Sequence, residues 1–414
     1  MKLFNTYSRS KERFLPKGKT VGFYTCGPTV YAPPHIGNYR TYVWEDVIRR
    51  YLGHCGWKIR HVMNITDLDD IVLREAKKKG VGWKRLARKY EKVFLKEKRS
   101  LGCLDAQAYP RASEHVLGMA RLAQKLLRKG HAYKDEKGDV YFDISKFGLY
   151  GKLSHFSPVM KAKKKISRQD YWQHEAGDFI LWIKCRANGS GACWNTPLGY
   201  GRPAWNIECP AMSMKYLGEE FDIHMGGTDN VFSHHENEIA VAKCATGKGF
   251  VRYWMHVKHL LLNGKKMSKS KGNVIVLADL LQRGYSAREV RAALLSVHYR
   301  RRMNFTLARM ERIAQYVRRV GTALRRVEKA AQKGAYAENA RELAAAKRKG
   351  KDALECFEYN MNDDFNAPHV MLHCCNLVCW ADGKAKIRKL GRKSALLVLK
   401  TVREMNSVLN VLEI

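Results

Sequence analysis

The sequence predicts an α/β fold, a doubly wound parallel sheet carrying an insertion, followed by an all-α helical bundle. Three observations carry this. The chain opens with a strand–turn–helix–strand pattern. Strand-like runs return near residue 221 after a long mixed stretch. From about residue 305 onward Ala, Leu, Lys, Arg and Glu dominate, while Gly and Pro are scarce.

The first element is VGFYTC, Val21–Cys26, a short run that reads as a strand and enters a Gly-Pro-rich turn. In the segment that follows, Tyr42, Val43, Asp46, Val47, Arg50 and Tyr51 recur at helical spacing, and Gly53 stands near the expected helix end. Trp57–Asp67 is the second strand candidate, which completes the opening of a sheet of the nucleotide-binding type. Residues 85–200 mix helical patterns with a hairpin-like GDVYFDIS at Gly138–Ser145. Within them Lys161–Lys165 and Gly189–Gly191 read as exposed loops. Strands resume with Phe221–Met225 and Tyr253–Leu262. The expected organisation is a sheet domain over 1–260 with the insertion at about 85–200, a connecting region over 261–304, and a bundle over 305–414.

Bulk composition narrows the function classes. Of 414 residues 45% are apolar, enough for a large core, and no run of 18 apolar residues predicts a membrane span. The N-terminus lacks an apolar core followed by a small-residue cleavage site, so a cytoplasmic protein is expected. Lys and Arg number 76 against 39 acidic residues, a formal charge of +37. The excess recurs along the chain, at Lys77–Lys79, Arg300–Arg302, Lys347–Lys351 and Lys384–Lys393. Such a charge suits contact with nucleic-acid phosphates, or else a solvated basic surface. The eleven cysteines are scattered and unaccompanied by a signal peptide, so a disulfide framework is not expected. Cys374, Cys375 and Cys379 beside His373 match no zinc-ribbon spacing and are read as core.

Two strings carry chemistry. His35-Ile36-Gly37-Asn38 lies at the mouth of the first helix, where free N–H groups and the positive dipole end favour phosphate. Taken alone it could equally be a chance loop. Lys265–Asn273, KKMSKSKGN, packs four lysines and small hydroxyl residues into a loop suited to neutralising a polyphosphate. Together the two strings resemble the HIGH and KMSKS signatures of class I aminoacyl-tRNA synthetases. That resemblance implies a Rossmann-type catalytic domain, ATP-driven formation of an aminoacyl adenylate, and transfer to a tRNA 3′ end. Asn38 stands where the second His of HIGH is usual; it can donate a hydrogen bond but carries no charge.

A third constellation bears on the substrate. His234 and Glu238, in His234-His235-Glu236-Asn237-Glu238, fall at i and i+4 and can present two ligands to one metal, or form an ordinary surface ion pair. Cys26 ends the first strand and Cys209 lies in GRPAWNIECPAM. Two thiolates, one imidazole and one carboxylate would complete a zinc site. The series YTCGPTVY, HIGNYR, NITDLDD, GRPAWNIECPAM, FDIHMGGTD, FSHHENEIA, YWMHV, KMSKSKGN and NDDFNAP resembles, in order, the motifs of cysteinyl-tRNA synthetases. By that resemblance Cys26, Cys209, His234 and Glu238 hold one zinc ion, which binds the substrate sulfur. Thr66, Trp205 and His224 match residues of the cysteine pocket, and Gly227 and Asp229 match positions approaching the adenosine. His35, Asn38, Lys266 and Lys269 stabilise the charge that develops on phosphate, with magnesium accompanying ATP.

The expected reaction is the attachment of L-cysteine to tRNA-Cys by a monomer. Alternatives are a cysteine ligase of mycothiol biosynthesis, which joins activated cysteine to an amino sugar, and a non-catalytic tRNA-binding paralogue. The C-terminal bundle is expected to contact tRNA. Val402–Ile414 reads as the last bundle helix, so a separate anticodon-binding domain after it is not expected.

Overall fold

The computed structural model describes residues 1–155, 165–166, 177–186, 191–267, 272–332 and 336–414. Its centre is a four-stranded parallel sheet built from β1 (Thr20–Thr25), β2 (Lys58–Met63), β3 (Phe221–Gly227) and β4 (Val251–Val257) in the spatial order β4-β3-β1-β2. Both faces of the sheet are covered, so β3 and the carboxyl-terminal halves of the other strands are buried, while Lys58 and Arg60 of the edge strand β2 are exposed. Phe23 of β1 and Tyr253 and Met255 of β4 enter one core, while Tyr24 and Trp254 enter the other. This alternation explains why the strands read as near-continuous apolar runs.

One face packs on helix α1 (Ile36–His54), and the other on α2 (Trp205–Leu217) and α3 (Glu236–Thr246). Between β2 and α2 the chain forms helices Trp83–Ser100 and Val116–Arg128 and a largely antiparallel sheet whose strands include Val140–Phe142, Asp178–Lys184 and Gly199–Pro203. The hairpin expected around Gly138–Ser145 is there, with Val140–Phe142 paired to Ala132–Lys134. Of the two expected loops, Lys161–Lys164 and residues 189–190 lie outside the described residues, while Lys165 belongs to a short strand, Lys165–Ile166, paired with Asp178–Lys184 rather than to a loop.

The run Tyr253–Leu262 is two elements rather than one. After Val257 the Lys258 N–H turns to the carbonyl of Tyr299 (2.8 Å), and Leu260–Leu262 pairs instead with Met303–Phe305 and Lys265–Lys266. Arg40, fully buried on α1, anchors this crossing. Its guanidinium donates to the carbonyls of Lys258, Val297 (3.3 Å), His298 (3.0 Å) and Arg301 (2.8 Å).

A helix α4 (Ala287–Leu295) leads into the bundle of α5 (Leu307–Ala330), α6 (Ala340–Asn362), α7 (Ala367–Lys386) and α8 (Arg392–Leu409). Two buried polar junctions bind the bundle to the sheet region. Arg291 of α4 pairs with Asp46 of α1 at 2.6 Å and donates to the carbonyl of Leu409 at 2.7 Å. Asp364, in the NDDFNAP string, accepts from the Phe4 N–H (2.8 Å), the Tyr299 hydroxyl and Arg300. Cys374 and Cys375 are core residues as read, but Cys379 is exposed on the outer face of α7. A disulfide framework is not expected from the sequence, and a single pair, Cys185 and Cys193 just after the strand Asp178–Lys184, is disulfide-bonded among the described residues. No helix among the described residues is long and apolar enough to cross a membrane.

Candidate active site and metal centre

The strand order reverses between β1 and β3, and a cleft opens at their carboxyl ends, the usual ligand position in such sheets. The cavity there measures about 570 Å³, within the range of small-molecule sites. Its rim and floor bring together strings that are far apart in sequence.

The rim begins at the turn after β1. Gly27 passes so close to the carbonyl of Asn64 that a Cβ would sit 1.6 Å from that oxygen, so no other residue fits without moving the strand. His35 then caps α1. Its Nδ1 accepts from the Asn38 N–H (3.2 Å), and the Asn38 side-chain oxygen accepts from the His35 N–H (3.1 Å). This reciprocal capping box gives Asn38 a structural job beyond that of a hydrogen-bond donor. A neutral imidazole that accepts at Nδ1 carries its proton on Nε2, where it is a donor.

The second string comes to the same rim. The Ile36 N–H donates to the Ile275 carbonyl (3.0 Å), and His35 forms a bridge with Val276. Lys266 is exposed on the short strand Lys265–Lys266, and the Asn273 side chain donates to its carbonyl (3.0 Å). Lys266 and Met267 both line the cavity. Lys269 lies outside the described residues.

The floor carries the candidate metal centre. Cys26 follows β1 directly, held by its N–H on the Met225 carbonyl of β3 (3.1 Å). Cys209 sits on α2. The chain is extended at Phe232 (φ −122°, ψ 126°) and kinks there before it enters α3, where His234 Nε2 comes within 3.0 Å of Glu238 Oε1. One donor atom from each of Cys26, Cys209, His234 and Glu238 lies within 4.8 Å of the others, so the four predicted ligands converge. A second quartet, with His224 and His235 replacing Cys209 and His234, also converges. Only the first presents three ligands to the cleft, since Cys26, Cys209 and His234 line it while His224 and His235 do not.

The electrostatics of the first quartet call for a cation. The thiol of Cys26 is pushed well up by its hydrogen bond with Cys209 and by burial. Cys209 is raised by burial, and Glu238 is raised well above the carboxylate range by burial. Three acidic groups, two of them buried and Cys26 at the cleft, therefore stand together, each making the anionic form of the others costly. A soft-to-borderline dication with tetrahedral preference relieves that, and this donor set suits zinc.

His224 is fully buried on β3, behind the residues that line the cleft. Its Nε2 hydrogen-bonds Glu238 Oε2 at 2.8 Å, while Glu238 Oε1 lies 3.0 Å from His234. Burial lowers its pKa to about 3, so the ring is neutral where it meets the Glu238 carboxyl group. Strand alternation turns this side chain toward α3. Trp205 stacks face to face on His234, with ring centroids 3.8 Å apart and planes at 6°. Thr66 is buried at the cleft and accepts from Asn64 (3.1 Å). Gly227 and Asp229 line the opposite wall.

Sequence reasoning missed His235 and His256. Cys26 Sγ lies 3.2 Å from His235 Nε2, His235 Nδ1 2.8 Å from His256 Nε2, and His256 Nδ1 2.8 Å from the Thr6 hydroxyl. The HH pair and the WMHV string were visible signals, but nothing local pointed to their partners.

Comparisons with known proteins agree with this architecture. Residues 14–315 match the family model described as the tRNA synthetases class I (C) catalytic domain. A Chlamydia muridarum protein named cysteine–tRNA ligase is 46% identical over 79% of this chain and 69% of its own length. The protein of the same name from Chlamydia caviae is 38% identical over 99% of this chain and 86% of its own. A Mycobacterium tuberculosis methionyl-tRNA synthetase solved with methionyl-adenylate shares the fold, with a TM-score of 0.72 over 95% of this chain and 92% of that chain at 18% identity. With a family match over most of its length and relatives this similar, the chain belongs to the cysteine–tRNA ligase family of class I tRNA synthetases.

Proposed function

We propose that the protein activates L-cysteine with ATP and transfers it to the 3′-terminal ribose of tRNA-Cys. The observation that carries this reading is the juxtaposition at one cleft of a convergent Cys-Cys-His-Glu quartet on the floor and the His35–Asn38 and Lys266–Met267 strings on the rim. The names of the Chlamydia relatives support it.

Cys26, Cys209, His234 and Glu238 would hold zinc. When bound, zinc supplies a Lewis acid that favours a thiolate over the hydroxyl of serine. That preference matters because shape alone separates cysteine from serine poorly. Trp205 and Thr66 shape the pocket above this floor. His224 acts as a positioning residue that fixes the Glu238 carboxylate.

In the first step the cysteine carboxylate oxygen attacks the α-phosphorus of ATP, and the bond from that phosphorus to the oxygen bridging the α- and β-phosphates breaks, releasing pyrophosphate. The His35 Nε2–H, the Asn38 amide, Lys266 and, by the family pattern, Lys269 meet the negative charge that builds on the phosphates. Gly227 and Asp229 flank the adenosine, and magnesium accompanies ATP. No side chain has to act as a nucleophile, so positioning and electrostatics supply the rate. In the second step a hydroxyl of the terminal tRNA ribose attacks the adenylate carbonyl, and AMP leaves. The basic helical surface supplies phosphate contacts for the tRNA.

Exchange of labelled pyrophosphate into ATP tests the first step. Exchange that needs cysteine and ignores serine supports the proposal. Exchange with neither amino acid, by folded and zinc-supplied protein, would overturn it.

A further inference from the structure

His259 has no role in the mechanism above, yet it stands on the wall of the cleft. It follows β4 by two residues and is half-buried. Its carbonyl accepts from the Met303 N–H at 3.1 Å, so the main chain is fixed without help from the ring. The imidazole lines the cavity together with Gly227, Asp229, Leu260 and Lys266. Among the described residues no hydrogen bond from this ring to another side chain or to the backbone is formed. Burial lowers its proton affinity, Asp229 raises it, and Lys266 lowers it again, so the ring is within electrostatic reach of both charged groups. Asp229 marks the nucleoside end of the cleft in the proposed reaction, and Lys266 the phosphate end.

We infer that His259 is a specificity-determining residue for ATP, its ring hydrogen-bonding the adenosine moiety between Asp229 and Lys266. This inference rests on the proposed ATP-dependent activation. A neutral imidazole offers one donor and one acceptor. That pair complements the amine and ring-nitrogen edge of adenine, and equally a ribose hydroxyl. Both belong to adenosine, and the two contacts are separable by analogue.

The test compares the full-length, zinc-supplied protein with His259→Leu and His259→Gln. Equilibrium binding of ATP is measured by calorimetry, and KM for ATP and for cysteine by pyrophosphate exchange. His259→Leu should weaken ATP by about 5- to 10-fold and leave KM for cysteine within about 2-fold. His259→Gln, which keeps a donor and an acceptor, should recover most of that loss. Inosine triphosphate replaces the amine edge and 2′-deoxy-ATP removes a ribose hydroxyl. Whichever wild-type penalty vanishes in His259→Leu identifies the contacted half. Unchanged ATP affinity in His259→Leu, or equal losses for ATP and cysteine, would overturn the inference. Because binding is read directly, wild-type protein that binds ATP without cysteine-dependent exchange would count against the proposed reaction and leave the His259 comparison standing.

Discussion

The terminal methyl of Met267 lies 2.8 Å from the point where a Cβ on Gly37 would sit, and the His35 ring lies 3.0 Å from the same point. The opening turn of α1 and the lysine-rich string are thus in direct contact through a missing side chain. Gly37→Ala should push Met267 and His35 out of place. The better helix propensity of alanine and the disturbed His35 cap oppose each other, so fold stability should change by no more than about 1 kcal/mol. Cysteine-dependent pyrophosphate exchange should fall by about 100-fold, as expected when rate-bearing groups shift by about 1 Å. Exchange at the wild-type rate would show that the contact has no bearing on the chemistry.

The hydrogen bond between His224 and Glu238 predicts a graded effect on metal binding. The wild-type protein should contain about one zinc per chain. Cys209→Ser should lose it, and with it the preference for cysteine over serine. His224→Phe keeps an aromatic ring but removes the hydrogen bond to Glu238, and should weaken zinc by about 10- to 100-fold. Competition with a chromogenic chelator reads this directly. Equal zinc retention in His224→Phe and wild type would remove His224 from the metal centre.

Much of this site was legible in the sequence because the chemistry restricts residue type. A Cys-Cys-His-Glu set and the HIGN and KMSKS strings stand out from generic polar residues, and the four expected ligands converge beside a cleft that His35, Asn38 and Lys266 line. The strands were legible because both faces of the sheet are covered, so their apolar runs are long. What escaped depends on distant partners. The break at Lys258 is set by Tyr299 and by Met303–Phe305, some forty residues on. The contact between His224 and Glu238 depends on the position of α3, which no local pattern reveals. Cys379 follows two buried cysteines in sequence but falls on the outer face of α7.

The Asp46–Arg291 pair predicts a pH dependence of stability. Burial works to raise the Asp46 carboxyl, but Arg291 and then Arg50 outweigh it and hold the group below its usual value. A folded-state pKa below the unfolded one stabilises the fold above the unfolded value of about 3.9, and that contribution is lost as pH falls through the folded value. Asp46→Asn should cost about 3–5 kcal/mol at neutral pH by leaving Arg291 buried without its charge partner. It should also flatten the decline in stability below about pH 4. Denaturant unfolding at neutral and acidic pH checks both. A variant with the same acid slope as wild type would place the titrating group elsewhere.

The Cys185–Cys193 disulfide predicts a thiol count. Denatured protein that has not been reduced should titrate nine thiols, the number of free cysteines, and reduced protein all eleven. Opening so short a loop should cost no more than about 3 kcal/mol of stability. Eleven thiols before reduction would show the pair to be open.

The most direct test of the whole account is transfer of radiolabelled cysteine to a tRNA-Cys transcript, with a second tRNA as control. The account predicts ATP-dependent charging of tRNA-Cys, no charging of the control, and loss of charging in Cys209→Ser. Cysteine-dependent pyrophosphate exchange without charging of any tRNA would contradict it, and would point to a ligase that passes activated cysteine to a small amine.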